Sequence, residues 1–159
     1  MKLKNSAFDI AINIVCLLQL LGIVLYLLIV WSSLPDRIPG HFGADGAVTR
    51  YDGRGVLLVG PIFAGILFGG IVLLERFPQV WNAGVTVTEE NKAKVYRTVK
   101  SLLAATKLIL VTAFIFIAII QSLGRNLPGW FLPVFIWLLA FMILFFIIRL
   151  IYHGLKARM

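Results

Sequence analysis

Hydrophobic positions along the chain gather into four long runs, residues 10–31, 56–74, 102–123 and 130–151, separated by polar, turn-rich segments. Crossing a hydrocarbon core takes about 20 apolar residues, in a helix that satisfies its own backbone polar groups. The pattern therefore predicts an all-α membrane protein with four transmembrane helices, folded as one domain over residues 1–159. Residues 32–55 form a cap between the first two spans, and residues 75–101 form a hairpin between the second and third. Trp31, Trp81 and Trp130 stand near run edges, where amphipathic rings favour the headgroup level. The first run is too long for a signal-peptide core, and "VWSS" is a weak cleavage site, so it reads as a span.

The cap segment, "LPDRIPGHFGADGAVTRYDGRG", breaks the hydrocarbon pattern most sharply. Pro35, Pro39 and its glycines forbid one continuous helix. Leu34, Ile38, Phe42, Val48 and Tyr51 are spaced through it, more apolar groups than a disordered linker carries. The segment is expected to fold, with Phe42 packed onto the helices and the His41 imidazole hydrogen-bonded within the loop. Asp36, Asp45 and Asp52 would satisfy loop backbone.

The hairpin segment reads as a loop through Pro78, Asn82 and Gly84. Thr88 then serves as an N-cap, with Glu89 and Glu90 in the first helical turn. Val95, Val99 and Leu102 recur at helical spacing, while Lys92, Lys94, Arg97 and Lys100 fall on the other side. This predicts an amphipathic helix lying along the membrane surface and running into the third span. A docking helix for a partner is the alternative.

Within the spans, Asp9, Asn13 and Cys16 share one helical face and read as an interior seam. Lys107 and Arg149 are expected to snorkel towards water. Gly65 and Gly69 form a small-xxx-small pair, the pattern that lets two backbones approach, on this chain or on a second copy. Pro61 starts or kinks the second span. No broken-helix pair, membrane-centre carboxylate or internal repeat announces a transporter.

Composition agrees with the pattern: 60% of residues are apolar and the mean hydropathy is +0.97. The net charge of +8 does not indicate nucleic acid, because basic residues sit at the ends of apolar runs rather than in one patch. They also orient the chain. Eleven fall on the side of the termini (Lys2, Lys4, Arg76, Lys92, Lys94, Arg97, Lys100, Lys107, Arg149, Lys156 and Arg158), and four on the other (Arg37, Arg50, Arg54 and Arg125). Both termini are therefore expected in the cytoplasm, with the cap outside. Cys16 is the only cysteine, which excludes an internal disulfide.

Candidate chemistry centres on His41. With Asp36, Asp45 and Asp52 it could supply nitrogen and oxygen ligands, but the spacing matches no metal signature. Ser32 or Ser33 with His41 lacks a nucleophile elbow. No catalytic residue, metal or cofactor is assigned.

"LPDRIPGHFGADG" followed by "RYDGRG" resembles the bacterial domain of unknown function 1648, which also forms the N-terminal part of SdpI-type immunity proteins. Leu34, Pro35, Ile38, Pro39, His41, Phe42 and Gly46 match its pattern, and "VTEENKAKVYR" is similar to its segment after span two. Gly43, Thr49, Tyr51 and Arg54 depart from the usual Asn, Asp, Trp and Lys. The resemblance implies a multi-pass protein of the bacterial cytoplasmic membrane, tied to toxin immunity or signalling. Its loop motif here comprises Pro35, Asp36, Pro39, His41, Phe42, Asp45, Gly46, Asp52 and Arg54. The function expected is non-enzymatic: an outer loop that senses or blocks a ligand. Its partners would be the lipid bilayer, a peptide toxin, a membrane partner protein or a second copy of the chain. A small oligomeric transporter or channel is the alternative, and a membrane enzyme using His41 and the loop aspartates comes third.

Overall fold

A computed structural model describes residues 3–155; Lys2, Lys156 and Arg158 of the basic count lie outside the described residues. Among these residues four helices are long and apolar enough to cross a membrane. They are α1 (Ala7–Val30), α2 (Val59–Leu74), α3 (Lys92–Ser122) and α4 (Phe131–Leu155). Short 3-10 turns at Trp31–Ser33 and Arg54–Leu58 extend α1 and lead into α2. Pro61 falls in the first turn of α2, where its missing N–H breaks no helical bond.

The all-α expectation fails at the cap. Residues Arg37–Phe42 (β1) and Val48–Gly53 (β2) pair as an antiparallel hairpin. Two features make this possible. Pro39 needs no ladder donor on the outer edge of a two-stranded sheet. The turn closes through Gly43 N–H to Ala47 O at 2.8 Å, with Asp45 Oδ1 accepting from Ala47 N–H at 3.0 Å. The register slips on either side of His41, leaving Gly40 as the extra residue of a bulge. Asp52 leans across that bulge so closely that a Cβ on Gly40 would lie 1.9 Å from its Oδ2.

Helix α3 is the centre of the bundle, packed against α1, α2 and α4. Its buried positions run along its whole length, from Val95 and Val99 to Val111, Ile115, Ala118 and Gln121. The main core joins Ile12, Cys16, Ile23 and Leu27 of α1 to Ala64 of α2 and Ala104, Val111, Ile115 and Ala118 of α3. Leu34, Ile38 and Leu57 extend the same core to the hairpin end. Most other apolar side chains on α1, α2 and α4 are exposed, as expected of helices that face lipid.

The amphipathic helix does not lie flat. It is the first part of α3, continuous with the span, and its apolar face meets protein. Val95 and Val99 pack with Leu150 of α4, beside Trp81, Ala83, Val85 and Leu103. Thr88 is not the N-cap: α3 starts at Lys92 after Asn91, and Thr88, Glu89 and Glu90 fall before its first turn, where Thr88 and Asn91 bond reciprocally. Thr88 Oγ1 accepts from Asn91 N–H at 3.4 Å, and Asn91 Oδ1 accepts from Thr88 N–H at 2.8 Å.

Among the described residues Gly65 and Gly69 face no neighbour: a Cβ on either would meet no atom within 4 Å. The close approach of α2 to α3 uses Gly60 and Ala64 instead. A Cβ on Gly60 would lie 3.1 Å from Phe114 O, and Ala64 is fully buried.

Candidate functional site

The nine motif residues divide into anchors and an exposed face. Ile38 and Pro39 are completely buried, so the middle of β1 is what holds the hairpin down. Phe42, expected to be the anchor, is only half-buried. The hairpin twists at the bulge, and side chains beyond Gly40 turn away from the core. His41 is exposed, and among the described residues its imidazole has no hydrogen-bond partner. Its backbone makes the local tie, as His41 O accepts from Thr49 Oγ1 at 3.3 Å.

The aspartates do not converge. Asp45 closes the turn, and Asp36 contributes its carbonyl to Arg54 N–H at 3.2 Å. Asp52 holds Arg50 through Nε at 2.9 Å and a second guanidinium nitrogen at 2.8 Å. Among the described residues no three His, Cys, Asp or Glu side chains come together as a metal-binding group. Pro35 is exposed, and Arg54 lies over the Trp31 ring at 5.9 Å from its centroid.

Gly46 explains its place in the motif by geometry. Its φ of +84° is one that L side chains rarely adopt, and a Cβ there would lie 2.3 Å from Leu127 O. The same glycine accepts from Leu127 N–H at 2.9 Å, while Val48 N–H donates to Asn126 Oδ1 at 2.9 Å. The hairpin tip is thereby docked on the α3–α4 connection, a partner that no local pattern in the cap announces.

Arg37, His41, Arg50 and Tyr51 are exposed side chains left on the hairpin, with Arg50 paired to Asp52. The hairpin lies at the end of the bundle opposite the described termini, because α1 ends and α2 begins there.

A second polar constellation sits at the other end. Lys107, expected to snorkel, is wholly buried and donates to Glu75 Oε1 at 2.9 Å and to Asn13 Oδ1. Its ammonium also lies 5.6 Å from the centroid of the Phe68 ring. A carboxylate, an amide and an aromatic face replace the water it would otherwise seek. Nearby, Asp9 Oδ2 accepts two bonds from Arg97, at 2.6 and 3.0 Å, and Lys100 donates to Asn5 Oδ1 at 2.6 Å. Arg97 and Lys100 thus turn towards α1 rather than to an outer face. Asp9 Oδ1 is buried and has no hydrogen-bond partner among the described residues.

The seam predicted from Asp9, Asn13 and Cys16 exists and continues upward along α1 and α3. Gln19 meets Thr112 at 3.1 Å, and Tyr26 meets Ser122 at 2.8 Å. Glu75 was missed in the sequence because it closes an apolar run next to Arg76, where a charge looks like an ordinary end marker.

The fold and these sites define a multi-pass membrane protein with a docked hairpin cap. Residues 18–65, from mid-α1 through the hairpin into α2, match the model of the domain of unknown function DUF1648. No curated protein and no solved structure matches the chain.

Proposed function

We propose that this chain is a non-enzymatic membrane protein whose hairpin cap receives a ligand at the outer face of the bacterial cytoplasmic membrane. The observation that carries the reading is the division of labour in the motif. Ile38, Pro39 and Gly46 fix the hairpin, which leaves His41, Arg50 and Tyr51 presented on a rigid support. A preformed cationic and aromatic surface suits an anionic or amphipathic peptide, since little ordering entropy is lost on contact. In the immunity reading the ligand is a membrane-active peptide toxin, and blocking it at the cap protects the cell.

The test is survival. Cells expressing the chain are challenged with membrane-permeabilising peptides, beside His41→Ala and Tyr51→Ala variants. Protection that falls in these variants while cap hydrogen exchange stays native supports the reading. Protection indifferent to both side chains contradicts it.

A small oligomeric transporter is the second reading, favoured by the buried Lys107–Glu75 pair. The polar rungs between α1 and α3 are interrupted by buried Cys16, Ile23, Ile115 and Ala118, which gives a series of clamps rather than a continuous route. The enzyme reading has the least support, because His41 and the loop aspartates act apart.

A further inference from the structure

We infer that the chain has a binding site for a phosphate-bearing anion at the terminal end of the bundle, in a cavity between the start of α1, the end of α2 and α3. The cavity has a volume of about 390 Å³ and is lined by Asn5, Asn13, Val72, Glu75, Arg76 and Lys100 among others. Its polar lining is weighted towards donors. Lys100 is a buried cation, and the bonds it makes are to the neutral oxygens of Asn5 and Leu3. Its ion pair with Asp9, at 3.8 Å, is longer than a hydrogen bond and is shared with Arg97, which makes two bonds to the same oxygen. A buried ammonium without a hydrogen-bonded anion is costly, and an anion in the cavity would relieve it.

Three further donors are available. Asn5 and Asn13 both give their oxygens to lysines, which leaves each amide nitrogen without a partner among the described residues. The Arg76 guanidinium is exposed and likewise unpaired among them. Glu75 is the acidic group of the lining, and its charge is matched by Lys107 at 2.9 Å. An ammonium, a guanidinium and two amide groups form a donor set that fits the oxygens of a phosphate. Val72 and Pro78 add apolar wall, which suits the first methylenes of a phospholipid acyl chain. The anion is a lipid headgroup or a free phosphate, and the two can be told apart.

The full chain in a neutral detergent is melted with phosphatidylglycerol, with phosphatidylcholine or with inorganic phosphate. Phosphatidylglycerol is expected to raise the melting temperature at concentrations where phosphatidylcholine does not. Arg76→Gln, at an exposed position, should need about fivefold more lipid for the same shift, the equivalent of about 1 kcal/mol for one basic contact. Arg125→Gln, at the hairpin end, should behave as wild type. Protection by inorganic phosphate that also depends on Arg76 identifies a soluble occupant; protection by the lipid alone identifies a headgroup. No shift with either, or equal weakening by Arg76→Gln and Arg125→Gln, overturns the site.

Discussion

At the scale of single residues, burial and partnership separate the side chains that hold the cap from those it displays. Ile38 is completely buried in the core that unites the hairpin with α1, α2 and α3. Ile38→Ala removes that contact and leaves a cavity, which should cost about 2–5 kcal/mol. His41→Ala removes an exposed ring and should cost under about 0.5 kcal/mol. Hydrogen exchange across residues 34–55 checks the contrast: fast in Ile38→Ala, native in His41→Ala. Equal loosening would make the imidazole a structural anchor after all. The Lys107–Glu75 pair gives a second prediction. Glu75→Gln leaves a buried ammonium without its counter-ion and should lower stability by about 3–5 kcal/mol. Glu75→Leu combined with Lys107→Met removes both charges and should recover most of that loss in a denaturation series. If the double variant is no better than Glu75→Gln, the pair is not what stabilises this end.

At the scale of elements, the four spans were legible because lipid imposes length and hydropathy on each helix independently of its neighbours. What the sequence concealed was pairing. The cap's apolar residues announced a folded segment, but its hairpin depends on the Gly43–Ala47 closure and on docking to Leu127, some 80 residues further along. Lys107 looks like a snorkelling lysine until Glu75 and Asn13 are brought beside it from two other helices. Small-xxx-small spacing occurs twice on α2, and among the described residues it is Gly60 and Ala64, not Gly65 and Gly69, that meet a neighbouring helix. The two pairs now make opposite predictions. Gly60→Leu should drive a side chain into the α3 backbone and lower the melting temperature in detergent. Gly65→Leu should leave monomer stability unchanged and alter only the oligomer distribution, should that face meet a second copy. Loss of monomer stability in Gly65→Leu would contradict the assignment of faces.

At the scale of the whole molecule, the two polar sites lie at opposite ends of a bundle whose middle is apolar apart from isolated clamps. Two elements hold the cap, the core through Ile38 and the α3–α4 connection through Gly46. The terminal end gathers Arg76, Arg97, Lys100 and Lys107 near Asp9 and Glu75, and in the proposed orientation this excess of positive charge faces the cytoplasm. The central claim is that the hairpin faces outward as a receiving surface. Ala44, exposed at the hairpin turn, reports on it directly when replaced by cysteine in a Cys16→Ala background. A membrane-impermeant thiol reagent applied to intact cells should label Ala44→Cys fully. Labelling that appears only after the inner membrane surface is opened would contradict both the orientation and the receiving role of the cap.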